Sequence, residues 1–222
     1  MEFLKKTTAI VTSILLTILL INTSSTQAFS RLSINQSNND FKVLQKAFSD
    51  SYTSENQKMY TVAIKAINNV YIDNYECNLR LGWLSYLAKN YEQSVNYYER
   101  AVALMPVATE PLWGQLNPLI ALEQWNKVDK VYLKILKIDA KNFAANYRLG
   151  LLYYYRKDYV SAKKYFDVAL NISPFEYNVV LMSAWTNYFL GQKKQANHLF
   201  NKVLLMNFND ISAIQGLKLT ND

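Results

Sequence analysis

Leu81-Gly82 recurs as Leu149-Gly150, 68 residues later, and 68 is twice 34. A period of that size has to be settled before any single helix or strand is assigned. Units of about 34 residues each form one supersecondary element, which buries its apolar face only against neighbouring copies. With Tyr75 as position 1, later units begin at Thr109, Phe143 and Tyr177. The first unit then has Leu81 and Gly82 at positions 7 and 8, Tyr91 at 17, Ser94 at 20, Tyr98 at 24, Ala101 at 27 and Pro106 at 32. The third unit puts Leu149, Gly150, Tyr159, Ala162, Phe166, Ala169 and Pro174 at the same seven positions.

Each unit reads as two helices. The chain has 222 residues, half of them hydrophobic, so a packed core is expected. It holds only five Gly and four Pro, and no stretch alternates polar and apolar residues as half-buried strands do. Glycine at position 8 and a small residue at 20 let two antiparallel helices approach closely, and the large side chain at 24 fills the space beside them. Proline at 32 cannot continue the second helix. The second unit is degenerate, with Gln115-Leu116 at 7 and 8, Trp125 at 17, Val128 at 20, Tyr132 at 24 and Ala140 at 32. The fourth keeps Ala184, Ala196 and Phe200 at 8, 20 and 24, then has Phe208 in place of proline.

The seven-position match resembles the tetratricopeptide repeat family, which implies an all-α, right-handed solenoid of antiparallel helix pairs. Four repeats are expected over residues 75–210. Phe41 stands at position 1 of the preceding phase, with Leu44, Ala47 and Phe48 in register, so residues 40–74 read as a divergent helix pair. Ile211, Ile214 and Leu217 begin a further first helix over 211–222 that caps the stack.

The resemblance also implies that first helices line a concave groove. Positions 5, 9 and 12 are then Leu79, Trp83 and Tyr86; Trp113, Asn117 and Ile120; Tyr147, Leu151 and Tyr154; and Leu181, Trp185 and Tyr188. Position 6 adds Arg80 and Arg148, which could hold a carboxylate by paired hydrogen bonds. Trp and Tyr offer flat apolar area with a polar edge, suited to a peptide or a sugar ring, although aromatics at helical spacing also serve as packing. The carboxylate clamp of some family members does not fit, because Leu79, Trp83, Gly114 and Ala144 stand where its other polar residues would be.

Lys5 and Lys6 precede an apolar stretch from Ala9 to Ile21, and Ala28 closes a polar segment. This is the layout of a secretory signal, cleaved after Ala28 and followed by a linker over 29–39. An apolar run of 13 residues is short of the roughly 20 that span a bilayer. Left uncleaved, it would instead be a membrane tether. Either way the domain is exported, to the periplasm or the outside.

The formal charge is +7, but Lys and Arg come in doublets at most with acids between them, so a solvated basic surface is expected and no nucleic-acid partner. Cys77 is the only cysteine and His198 the only histidine. No Gly-rich phosphate loop and no metal-ligand pair accompanies them, so neither catalysis nor a cofactor nor a metal is expected. The leading expectation is an exported scaffold that binds a protein or peptide in its groove, in a bacterial envelope assembly. The alternatives are a glycan-binding module of a polysaccharide or cell-wall apparatus, and an oligomerising structural subunit.

Overall fold

The computed structural model describes residues 40–221, and these form eleven α-helices with no strand among the described residues. The expected signal over 1–28 and linker over 29–39 lie outside the described residues. The chain divides into two compact units at Ile72 and Asp73. In the first, α1 (40–56) is followed by α2 (Tyr60–Asn68). The second holds α3 (Tyr75–Leu87), α4 (Tyr91–Leu104), α5 (Glu110–Ala121), α6 (Trp125–Ile138), α7 (Phe143–Tyr155), α8 (Tyr159–Ile172), α9 (Tyr177–Phe189), α10 (Lys193–Met206) and α11 (Ile211–Asn221).

Within the second unit each helix packs on its neighbours in sequence, and first helices also touch one another, α3 on α5, α7 on α9 and α9 on α11. Second helices show no comparable contact. The row of helix pairs is therefore a solenoid whose first helices form the inner wall and whose second helices form the outer one.

The side chain at position 24 is the wedge that sets this packing. A Cβ placed on Gly82 would stand 2.9 Å from the Tyr98 ring, and one on Gly150 2.7 Å from the Phe166 ring, so in repeats one and three a bare backbone is what fits at position 8. The Ser94 hydroxyl donates to the Gly82 carbonyl at 2.7 Å and fixes the same crossing. The Tyr98 and Phe200 rings also meet the next repeat: a Cβ on Gly114 would be 2.3 Å from Tyr98, and one on Gly216 2.2 Å from Phe200. Position 6 is thus a second close-approach site, in addition to the position 8 glycines.

Turns repeat with the same period. The second residue after each first helix is left-handed at Lys89 (φ 62°), Glu123 (φ 55°), Lys157 (φ 62°) and Gly191 (φ 72°), successive members being 34 apart. The next N–H bonds back across the helix end in each case, Asn90 to Ser85, Gln124 to Leu119, Asp158 to Tyr153 and Gln192 to Asn187, which satisfies carbonyls that the helix leaves open. Second helices end at Leu104, Ile138, Ile172 and Met206, again in register. The phase is kept where Ala140 and Phe208 replace proline, so proline is not what stops these helices.

Buried asparagines tie loops to first helices in repeats one and three. Asn74 and Asn142 cap α3 and α7 by accepting from Cys77 N–H (2.9 Å) and Ala145 N–H (3.0 Å). One turn on, Asn78 donates to the Asn74 carbonyl and Asn146 to the Asn142 carbonyl. Repeat two departs from this scheme. Leu116 stands in place of glycine, Pro118 leaves the Gly114 carbonyl without its helical donor, and α5 meets α6 less extensively than the helices of other pairs meet.

Candidate functional site: the inner wall

The first helices present a strip of aromatic and aliphatic side chains, and neighbouring helices consume much of it. Trp83 is 38 % exposed and leans on Tyr86 with ring centres 5.9 Å apart, and Tyr86 in turn leans on Tyr91. Trp113 packs edge-on against buried Tyr132 at 6.0 Å and belongs to the core there. Tyr147 is held between Phe143 and Phe166. Leu79, Leu151 and Leu181 are half-buried, whereas Asn117 and Arg148 are open to solvent.

Two expectations are corrected. Arg80 is buried, only 6 % exposed, and so cannot meet an incoming anion as a surface group. Trp185 is built into the fold: its indole N–H donates to the Ser212 hydroxyl of α11 at 2.8 Å, and its ring stands edge-on 4.9 Å from buried Phe200. Tyr188 packs into the same core. The inner wall is open instead at position 13, where Tyr155 is 74 % and Phe189 46 % exposed. Position 13 faces the groove in the family the sequence resembles, so the sequence carries the signal for these two rings.

These rings form one connected cluster across repeats three and four. Tyr154 touches Tyr155, Tyr159 and Phe189, and Tyr159 stacks on Phe189 with centres 4.6 Å apart. Burial pushes the Tyr154 phenol up to about 12 and raises that of Tyr147. Arg148 is the only charged side chain at positions 5, 6, 9, 12 and 13 of these two repeats. The strip therefore suits apolar or aromatic groups with polar edges, with one cation placed to hold an acid.

Nothing in the strip pairs a nucleophile with a base. Cys77 is fully buried, His198 stands exposed on α10, and the described residues include no group of three acid, His or Cys side chains that could hold a metal.

Two segments match family profiles described as tetratricopeptide repeat, residues 75–106 and 144–174. These two segments are tetratricopeptide repeats. The matched segments are the α3–α4 and α7–α8 pairs, the two that carry the position 8 glycines. Among solved structures, this repeat protein is similar to MamA (16 % identity, 73 % of this chain and 91 % of that one, TM-score 0.63). It is likewise similar to a tetratricopeptide repeat protein from Parabacteroides merdae (18 % identity, 80 % of this chain and 72 % of that one, TM-score 0.66). At such identities the likeness bears on the fold alone. No match is found among curated proteins. The fold is that of a protein-interaction scaffold.

Proposed function

We propose that this scaffold binds a segment of a partner protein along the inner wall of repeats three and four, with no catalytic step, and that it acts outside the cytoplasm in an envelope assembly. The observation that carries the proposal is the exposed aromatic pair Tyr155 and Phe189 on a strip whose only charge is Arg148. Large rings backed by a rigid cluster lose little entropy on contact and tend to dominate interface energies. A peptide with apolar side chains and one carboxylate complements this surface. A glycan is the weaker reading, because Tyr159 and Phe189 use ring faces on each other that a sugar would need.

Photo-crosslinkers placed at Tyr155 and at Phe189 should capture the same partner, and one placed at Leu205 of the exposed α10 surface should not. Equal capture from both sites, or capture unaffected by Arg148→Ala with Tyr155→Ala, would refute the inner-wall reading. Export is checked separately by mass spectrometry of the mature N-terminus, which should begin after Ala28.

A further inference from the structure

The outer surface of α6 has a charge pattern that the interior of the solenoid does not explain. Lys127, Lys130, Lys134 and Lys137 follow one another at spacings of three and four, and Lys141 lies in the turn beyond. At about 100° per residue, the four helical lysines share an arc of about 80° and extend over roughly 15 Å. The opposite side of the helix holds buried Val128, Val131 and Ile135. All five lysines are exposed, and among the described residues none is in an ion pair.

Two of the nearby acids are engaged, and the third, Glu123, stands exposed in the turn before α6. Asp129 is paired with Arg156, just past the end of α7. Asp139 accepts from the backbone N–H of Lys141 at 3.1 Å and from the Asn142 amide at 3.2 Å. The other second helices differ. Exposed Glu92 and Glu99 accompany Arg100 on α4, Lys163 is paired with Asp167 on α8, and the lysines of α10 are spread around half its circumference. Apolar side chains border the stripe on either side: Leu133 is 44 % and Ile138 41 % exposed.

We propose that the outer face of α6 docks on an anionic lipid bilayer. Lysines without acid partners match lipid phosphates, and the flanking Leu133 and Ile138 side chains suit the headgroup boundary. The helix has no arginine, the side chain that most favours nucleic acid recognition. This surface is separate from the inner wall and does not depend on what binds there.

The test is co-sedimentation of the full chain with phosphatidylcholine vesicles prepared with and without phosphatidylglycerol. Binding should require phosphatidylglycerol and weaken with salt. The quadruple variant Lys127→Gln, Lys130→Gln, Lys134→Gln, Lys137→Gln should bind about two to three orders of magnitude more weakly, at about fivefold per lysine. The triple variant Lys193→Gln, Lys194→Gln, Lys202→Gln on α10 should keep most of its binding. Equal losses in the two variants would make net charge the cause and overturn the proposal. Equal binding to neutral vesicles would assign attachment to the apolar segment near the N-terminus and overturn it too. So would a duplex oligonucleotide that binds more tightly than the vesicles with the same dependence on α6.

Discussion

Replacing Lys89, Glu123 and Lys157 with glycine should stabilise the solenoid, although each change removes a side chain and adds none. All three have positive φ, at 62°, 55° and 62°, where a Cβ crowds the following carbonyl. That conformation costs an ordinary residue about 1–2 kcal/mol. Glycine relieves it but gives back about 0.4–1 kcal/mol through the greater freedom of the unfolded chain. The net gain is about 0.5–1 kcal/mol per site. The sites are in separate repeats with no shared partner, so the triple variant should gain about 1.5–3 kcal/mol. At about 2–4 °C per kcal/mol for a chain of this size, Tm should rise by roughly 3–12 °C. Gly191 supplies the converse. Its φ is 72° and nothing lies within 4 Å of an added Cβ, so Gly191→Lys tests backbone strain without a clash and should lose a similar 0.5–1 kcal/mol. Lys134→Gly, in the exposed middle of α6, should lose about 1 kcal/mol and controls for glycine itself. Thermal and urea unfolding followed by circular dichroism measure all of these. A triple variant no more stable than the parent, together with a neutral Gly191→Lys, would refute the account of the turns.

Gly114→Ala should destabilise by about 2 kcal/mol despite the better helix propensity of alanine, because its Cβ would stand 2.3 Å from the ring of buried Tyr98; Tyr98→Leu in the same chain should restore part of the loss in urea melts. In alkaline titration by tyrosinate absorbance, the 17 tyrosines should not ionise together. Burial holds Tyr154 up to about 12, as burial and the hydrogen bond to Glu110 hold Tyr75. Their folded pKa lies above the unfolded value of about 10, so the stabilisation is whole below pH 10 and is lost as pH rises through 12; one uniform wave near pH 10 would contradict this.

The repeat positions show why some features were legible in the sequence and others were not. Gly82, Gly150, Tyr98 and Phe166 act within one helix pair, so a 34-residue echo displays them directly. Gly114 and Gly216 act between repeats, against rings that precede them by 16 residues, and a search within the unit overlooks them. The lysines of α6 are dispersed along the chain as single residues, and they become a stripe only once the helix that carries them has a buried side. Arg80 and Trp185 stand at positions that face the groove elsewhere in the family, but packing buries Arg80 and leaves Trp185 half-buried and hydrogen-bonded to the next helix.

Periodicity and residue size were enough to determine the helix pairs, their phase from Tyr75 onward and the solenoid they build, because those depend on local spacing and on which side chains tolerate close backbones. Tertiary structure alone decided which aromatic rings stay open, since exposure depends on what the neighbouring repeat brings against each ring. Tyr155 and Trp185 carry similar chemistry in sequence. One faces solvent and the other is hydrogen-bonded into the next helix, and only the stacking of repeats makes that difference.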